Sequence, residues 1–248
     1  MNNIIKSSNT FIERYDHNIL STAIQKMYEK SGFYNVGTWE SSPKSLKNAC
    51  QALVRKHLEL VDENSKIKKI LDVGCGLGST TNLIAQNFKN AEIIGINISE
   101  KQIAVAKDIY PDLDFQVMDA TNLEFQDESY DLIISIEAAF HFNTRKDFLQ
   151  QAFRVLRTGG QLIFTDMLFH NTNWVGNWSV PEANLVTDIT LYNEMCQNVG
   201  FKLLSLQNIK NTTIKGFCQY LRQVENMSEL ANGLEESVIA YLITSLKK

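Results

Sequence analysis

The sequence predicts an α/β protein whose sheet is mainly parallel and carries helices on both faces. Short apolar runs recur from Lys68 onward, namely KKILDVG, AEIIGIN, DFQVMD, YDLIISIE and QLIFTD. The segments between these runs are long enough to cross back as helices, which parallel strands require. A chain of 248 residues, 44% of them hydrophobic, can bury a sizeable core, so we expect one main domain with additions.

Composition narrows the classes of partner. The formal net charge of −4 gives no sign of the broad basic surface that nucleic acid or an anionic membrane would require, so small molecules are the expected partners. The start, MNNIIKSSNT, lacks the apolar core of a signal peptide, and no apolar stretch approaches the roughly 20 residues of a membrane span. We therefore expect a cytoplasmic protein. The four cysteines show no CxxC pair or histidine cluster, which predicts reduced thiols and no metal site.

Two helices are predicted ahead of the sheet. The first runs from about Asn9 to Lys30, and the second lies in SSPKSLKNACQALVRKHLELVDEN, with Ser42 as N-cap and Pro43 in the first turn. An aromatic loop, SGFYNVGTWE, joins them. Residues 1–66 are thus predicted to form a helical amino-terminal cover, and residues 67–248 the core domain.

An irregular segment follows the fifth apolar run. MLFHNTNWVGNWSVPEANLVTD is rich in Asn and Trp and poor in periodicity, which predicts a lid over about residues 167–187. Phe169, Trp174 and Trp178 in this lid indicate a ligand with apolar or ring surface. The helical stretch ITLYNEMCQNVGF and strand-like runs ending in SVIAYLITSLKK complete the chain.

Three alternating glycines, Gly74, Gly76 and Gly78, lie between the first strand and an apolar-periodic helix. Glycine permits left-handed φ values and lets a ligand approach the backbone, so this turn predicts a small-molecule site. The spacing G-x-G-x-G differs from the dinucleotide fingerprint G-x-G-x-x-G/A, whose last small residue would fall at the position of Ser79, and no Gly-Lys-Ser/Thr of a P-loop follows.

The stretch ILDVGCGLGSTTNLIA resembles the first motif of class I S-adenosylmethionine (SAM)-dependent methyltransferases. The resemblance implies a Rossmann-like, seven-stranded, mostly parallel sheet, with SAM as cofactor and S-adenosylhomocysteine as product. Carried over by position, it implies contacts to the amino-acid part, the ribose and the adenine of the cofactor from Asp72, Gly74, Cys75, Gly76, Gly78, Asn97, Ile98, Gln102, Asp119 and Ala120. Asn97 departs from the family, which usually has an acid at this ribose position; the alternative is that Asn97 only caps the helix that follows.

A closer resemblance is to methyltransferases of natural products and sugars and to tocopherol-type enzymes. RYDHN with GFYNVGTW, SIEAAFHF and FRVLRTGGQLIFTD carry it. It implies that Tyr34 and Trp39 lie over the cofactor in a mobile cover, with core packing as the alternative for each ring. It also implies that Glu137 contacts cofactor or substrate, the alternative being a solvated side chain at a strand end.

Methyl transfer to an alcohol needs a base, and His141 is the histidine placed just beyond a strand, at the carboxyl edge where open α/β sheets bind ligands. An unperturbed pKa near 6.5 makes it largely neutral at pH 7. Asp166 is predicted to end the neighbouring strand and to orient His141 through a hydrogen bond. The basic residues of NTRKDFLQQAFRVLR are predicted to lie on a solvated helix surface, with Thr144 as N-cap.

The sequence therefore predicts a SAM-dependent methyltransferase acting on a small-molecule acceptor, with a hydroxyl of a natural product as the expected target. Methylation of nitrogen or carbon remains an alternative. A SAM-binding protein without catalysis is another, and a nicotinamide oxidoreductase is disfavoured by the glycine spacing.

Overall fold

The computed structural model describes residues 12–40, 45–62, 66–173, 178 and 180–248. Seven strands form one sheet in the order β3, β2, β1, β4, β5, β7, β6, and β7 runs antiparallel to both of its neighbours while the other pairs are parallel. This confirms the predicted fold class. Strands β1 to β7 are Lys69–Val73, Glu92–Asn97, Asp114–Val117, Tyr130–Ser135, Leu156–Phe169, Lys202–Asn208 and Val238–Lys247.

Helices cover both faces of the sheet. Helix α1 comprises residues 12–19. Helices α2 to α9 are Thr22–Met27, Leu46–Leu58, Ser79–Asn87, Glu100–Ile109, Arg145–Val155, Ile189–Val199, Ile214–Gln223 and Ser228–Ser237. Each crossover between parallel strands therefore returns the chain to the same edge, so the loops after β1, β2 and β4 meet there.

The helices of the amino-terminal cover differ in detail from the prediction. The single helix expected over Asn9 to Lys30 is broken at Ser21, whose hydroxyl accepts the Ile24 N–H and starts a second helix, α2. Helix α3 begins at Leu46 with Ser45 as its N-cap. The predicted N-cap Ser42 and first-turn Pro43 lie outside the described residues.

The side chains of β5 alternate between two apolar cores, one on each face of the sheet. Phe164 and Leu168 pack with the residues of α6 and α7, whereas Met167 and Phe169 pack with the cover and α8. Because successive side chains of a strand point to opposite faces, Asp166 lies on the α6 and α7 side. The strand also continues to Phe169, so residues 167–169 belong to the sheet and not to the predicted lid.

The rest of the lid is mostly irregular where the structure describes it. A short 3₁₀ helix, Glu182–Asn184, lies within residues 180–187. Trp174 lies outside the described residues. Among the described helices, none combines the length and apolar character needed to cross a membrane.

Candidate active site

The glycine loop lies between β1 and α4, and its three glycines are required for different reasons. All have positive φ: 81° at Gly74, 56° at Gly76 and 84° at Gly78. A Cβ at Gly74 would come within 2.5 Å of Ala138 Cβ, and one at Gly78 within 2.7 Å of the Phe115 ring. A Cβ at Gly76 would meet nothing closer than 4.0 Å. Gly76 alone of the three therefore leaves open space beside the backbone.

A small cavity opens over this loop. It is lined from the sheet side by Gly74, Cys75, Gly76, Thr80, Gln102, Ile136, Glu137 and Ala138, and from the cover by Tyr15, Ile19, Gly32, Tyr34 and Asn35. Its volume is only about 40 Å³ because the side chains of the cover reach into it. Ligand pockets usually measure several hundred Å³, so this cavity is much smaller than a site for a cofactor-sized ligand.

Asp72 lies at the base of the loop, in β1. Its carboxylate is 1% exposed and accepts a hydrogen bond from the Thr81 hydroxyl at 2.6 Å. Burial raises the pKa of Asp72 to about 7, against the lowering effect of that hydrogen bond. A carboxylate with few partners this close to the loop suits a site for a ligand that carries positive charge.

The end of β2 carries a chain of hydrogen bonds. Asn97 Nδ2 donates to Gln102 Oε1 at 2.9 Å, and Gln102 Nε2 donates to Asp16 of α1 at 2.9 Å. The N-cap of α5 is Ser99, whose hydroxyl accepts the Gln102 N–H, so Asn97 is not the cap that the alternative interpretation supposed. Ile98, which follows Asn97, is half-buried.

Asp119 and Ala120 follow β3, beside the end of β2. The Met118 N–H donates to the Asn97 carbonyl at 3.0 Å, which fixes the two strand ends together. Asp119 is exposed and its Oδ1 accepts two hydrogen bonds from Thr121, whereas Ala120 is buried. Both residues thus stand at the same sheet edge as the glycine loop, although neither lines the cavity.

Glu137 follows β4 and is buried rather than solvated. Its carboxylate accepts hydrogen bonds from the Val36 N–H at 2.8 Å and the Tyr241 hydroxyl at 2.5 Å. Burial raises the pKa of Glu137 to about 7. Its φ of 54° is a left-handed conformation that costs a non-glycine residue about 1–3 kcal/mol. Glu137 thus joins the cover to the sheet at the wall of the cavity.

Trp39 is not over the cavity, which corrects the prediction for this residue. Its ring packs on Tyr220 of α8 at a centroid distance of 5.4 Å, and its Nε1–H donates to the Val36 carbonyl at 2.9 Å. It lines a separate cleft of about 620 Å³ beside α2 and α8. Gly216 of α8 lets the ring approach, since a Cβ there would lie 2.3 Å from the indole. Tyr34, by contrast, lines the cavity.

His141 lies in a short 3₁₀ turn, Ala139–His141, directly after the end of β4. Its ring contacts Phe140 at 4.1 Å and meets the edge of Tyr15, a cavity residue, at 5.5 Å between centroids. Burial lowers the pKa of His141 from 6.5 to about 4, against the raising effect of a backbone hydrogen bond with Trp178. The imidazole is therefore neutral at physiological pH.

Asp166 does not pair with His141, which corrects the predicted orienting bond. Both of its carboxylate oxygens accept from the buried Arg145 guanidinium, at 2.5 Å from Nε and 3.1 Å from Nη2, and Oδ1 also accepts the Met167 N–H. The prediction failed because Asp166 stands inside β5, on the face covered by α6 and α7. Arg145 is correspondingly not on a solvated helix surface: its side chain is 1% exposed.

Arg145 links this ion pair to the lid and to the histidine turn. Its Nη1 donates to the Asn184 carbonyl and its backbone N–H to Asn184 Oδ1, both at 2.9 Å. The side-chain amide of Asn184 donates to the carbonyls of Phe140 and Phe142, at 3.1 and 2.7 Å. The backbone on either side of His141 is therefore held by the lid.

Several residues of the site were missed in the sequence: Tyr15, Asp16, Asn35, Arg145 and Asn184. The available signal was the family resemblance, since RYDHN contains Tyr15 and Asp16 and GFYNVGTW contains Asn35. No local sequence pattern points to Arg145 or Asn184. Arg145 pairs with Asp166, 21 residues away along the chain, and Asn184 pairs with Arg145, 39 residues away.

The arrangement fits SAM. The open space at Gly76 accommodates a ligand against the backbone, and the buried carboxylate of Asp72 lies beneath the same loop. The amides of Asn97 and Gln102 after β2 provide polar groups of the kind that a ribose needs, and Gln102 lines the cavity.

Comparison with known proteins agrees. Residues 71–164 match the family model described as a methyltransferase domain. The chain is 32% identical to an O-methyltransferase of Pyrenophora dematioidea over 73% of this chain and 72% of that protein. It is 25% identical to erythromycin 3''-O-methyltransferase of Saccharopolyspora erythraea, over 80% of this chain and 72% of that protein. Among solved structures, the cyclopropane synthase MmaA2 of Mycobacterium tuberculosis superposes with a TM-score of 0.73 at 16% identity, covering 96% of this chain and 98% of that chain. With the glycine loop, the sheet order and these relatives in agreement, the chain belongs to the class I SAM-dependent methyltransferases.

Proposed function

We propose that this methyltransferase acts on a hydroxyl group of a small natural product, with His141 as the general base. One observation carries the proposal: a neutral imidazole stands after β4, one aromatic ring away from the cofactor cavity. The names of the relatives, an O-methyltransferase and erythromycin 3''-O-methyltransferase, support oxygen as the methyl acceptor.

The chemistry asks little of the protein beyond position and proton removal. When bound, SAM supplies an electrophilic methyl group on a positively charged sulfur. A ring nitrogen of His141 would take the proton of the acceptor hydroxyl as the acceptor oxygen bonds to the methyl carbon and the bond from that carbon to sulfur breaks, which leaves S-adenosylhomocysteine as the product. Because burial keeps this imidazole unprotonated, it is available as an acceptor throughout the neutral range, although its low pKa makes it a weak base.

We propose the cofactor contacts that the sequence predicts, except for the contact from Trp39, which lies away from the cavity. The glycine loop with Asp72 and Cys75 holds the amino-acid part, Asn97, Ile98 and Gln102 the ribose, and Asp119 and Ala120 the adenine. Glu137, which lines the cavity and bonds the cover through Val36, is placed to close the site over the cofactor.

Aromatic side chains near His141 support an acceptor with apolar or ring surface. Phe140 packs against Phe169 at 5.6 Å and against Trp178 at 6.2 Å between ring centroids. These rings come from the histidine turn, from β5 and from the lid. Phe140 and Phe169 are buried, so the half-buried Trp178 is the ring of the three that offers surface to a flat or apolar molecule.

The proposed effect of Asp166 on His141 is indirect. Its ion pair with Arg145 anchors Asn184, and Asn184 holds the backbone around His141. We therefore propose a positioning role for Asp166 in place of a direct bond to the imidazole.

The decisive experiment measures S-adenosylhomocysteine formation with a panel of phenols, sugar hydroxyls and primary amines, and locates the methyl group in each product by NMR. We expect turnover with hydroxyl acceptors, loss of that turnover in His141→Ala, and calorimetric binding of SAM but not of NAD. Turnover confined to amines or to carbon acceptors would overturn O-methylation. Binding of SAM with no turnover of any acceptor would support the non-catalytic alternative.

A further inference from the structure

The end of β2 carries a neutral residue where the ribose of the cofactor is expected to bind. Asn97 is 8% exposed, and its amide offers one acceptor and one donor group, whereas a carboxylate would offer only acceptors. To accept hydrogen bonds from ribose hydroxyls, the amide must turn its oxygen toward them. Something must therefore fix which way the Asn97 amide points.

Asp16 provides that constraint. It lies on α1, is 4% exposed, and its Oδ1 accepts from the Ser99 hydroxyl at 2.6 Å and from Gln102 Nε2 at 2.9 Å. A carboxylate only accepts hydrogen bonds, so the Gln102 amide must direct its NH₂ group toward Asp16. Its oxygen is then directed toward Asn97.

The second amide follows from the first. Gln102 Oε1 accepts from Asn97 Nδ2 at 2.9 Å, so the NH₂ group of Asn97 is committed to Gln102. Asn97 Oδ1 points away from Gln102, and the Ser99 N–H approaches it at 3.4 Å, the long limit of a hydrogen bond. A carbonyl oxygen has two lone pairs, so Oδ1 retains the capacity to accept from a ligand.

We propose that Asp16 is a positioning residue for cofactor binding: through Gln102 it makes Asn97 present its carbonyl oxygen to the ribose hydroxyls. A neutral residue thereby does the work of an acid, and the needed negative charge comes from the amino-terminal cover instead of from β2. The inference rests on the proposed ribose role of Asn97. It also means that the affinity for the cofactor depends on α1 being in place.

The test exchanges the side chains of Asp16 and Asn97. Calorimetric titration measures the affinity of each variant for S-adenosylhomocysteine and for its 2′,3′-dideoxy analogue. Asp16→Asn can direct either an oxygen or an NH₂ group at Gln102, so we expect it to weaken S-adenosylhomocysteine binding about fivefold, the effect of one hydrogen bond. Binding of the dideoxy analogue should be unchanged, because that ligand has no hydroxyls to recognise.

The reverse variant sharpens the test. In Asn97→Asp, two carboxylates would face the two ends of the Gln102 amide, which has only one donor end, so binding should also weaken. In Asp16→Asn with Asn97→Asp, the Gln102 amide can turn around, and affinity should return to within about twofold of wild type. Recovery in the double variant is an outcome that loss of packing alone cannot produce.

A purely structural role would give a different pattern. If Asp16 only fastens α1 to the sheet, Asp16→Asn weakens both ligands equally, and Ser99→Ala, which removes the other hydrogen bond to Asp16, does the same; this result overturns the inference. Unchanged binding in Asp16→Asn together with weakened binding in Asn97→Ala also overturns it while leaving the ribose role of Asn97 intact. Unchanged binding in Asn97→Ala overturns that role and the inference with it.

Discussion

The guanidinium of Arg145 donates two hydrogen bonds to the carboxylate of Asp166, and both side chains are almost completely buried. Charged groups are costly to bury, and this pair is tolerated because Arg145 also donates to the backbone of Asn184 and Met167. The pair thus connects β5, α6 and the lid, beneath the turn that carries His141.

Removing one partner of this pair should destabilise the protein severely. Asp166→Asn leaves the Arg145 charge buried without its counter-charge, so the free energy of unfolding should fall by about 3–5 kcal/mol. Urea denaturation followed by circular dichroism measures the change.

The matched control replaces both charges with apolar side chains. Arg145→Met with Asp166→Leu should cost much less than the sum of Arg145→Met and Asp166→Leu made singly, because no uncompensated charge remains. Losses that simply add would mean that the two groups are not energetically coupled.

His141→Ala should lower turnover by about 10² to 10⁴-fold while leaving the affinity for SAM near wild type, because general-base assistance contributes that much and the role proposed for the imidazole is toward the acceptor. Steady-state kinetics and calorimetry separate the two quantities. Counted per folded molecule, turnover should fall less in Asp166→Asn, and in the double variant it should fall little more than in His141→Ala. Near-normal turnover in His141→Ala with the true acceptor would refute the assignment of the base.

Activity should be lost at a lower pH than it would be if the general base were a histidine with its usual pKa of 6.5. Burial lowers the pKa of His141 to about 4, so the imidazole is neutral above that pH and activity toward an alcohol is lost only as pH falls through about 4. The profile of kcat/KM for the acceptor, measured at saturating SAM and repeated in His141→Ala, tests this. A limb near 6.5 that disappears in the variant would show that the imidazole is more hydrated than its buried position indicates.

Glu137 should make the protein less stable as pH rises. Its pKa is near its usual 4.5 in the unfolded chain and about 7 in the fold, so the stabilisation is complete below about pH 4.5 and is lost as pH rises through 7. Glu137→Gln removes this dependence while keeping an oxygen for the Val36 N–H and the Tyr241 hydroxyl.

The difference in unfolding free energy between wild type and Glu137→Gln should therefore shift in favour of the variant from pH 5 to pH 7, by at most about 1.4 kcal/mol per pH unit. His57 and His141 act in the opposite sense, since burial lowers the pKa of each to about 4, but they cancel in this comparison. A pH-independent difference would show that the Glu137 carboxylate titrates alike in both states.

Gly76→Val should abolish cofactor binding without unfolding the chain. The new side chain would occupy the open space beside the loop, where the nearest atom to an added Cβ is Gln102 Oε1 at 4.0 Å. Gly159→Val is the matched control, because Gly159 also has a positive φ, 82°, and open surroundings but lies outside the cavity. Both variants share the backbone strain, so we expect similar thermal shifts and a loss of SAM binding in Gly76→Val alone.

The sequence by itself determined the fold class and the nature of the site. Apolar runs separated by helix-length segments predict a parallel sheet because periodicity reports which faces are buried, and Gly74, Gly76 and Gly78 after β1 predict a ligand-binding turn because backbone conformation there is a local property. His141 was predicted at the carboxyl edge of the sheet because the order of strands and helices places the residues after β4 there.

Only the tertiary structure decided the partners of the charged groups. Asp166 pairs with Arg145 because β5 runs on to Phe169 and the alternation of its side chains turns Asp166 to the other face. Trp39 packs on α8 and Asp16 reaches Gln102 through contacts between segments far apart in the chain. Hydrogen bonds and burial depend on distances in three dimensions, and a linear pattern of residue types does not carry that information.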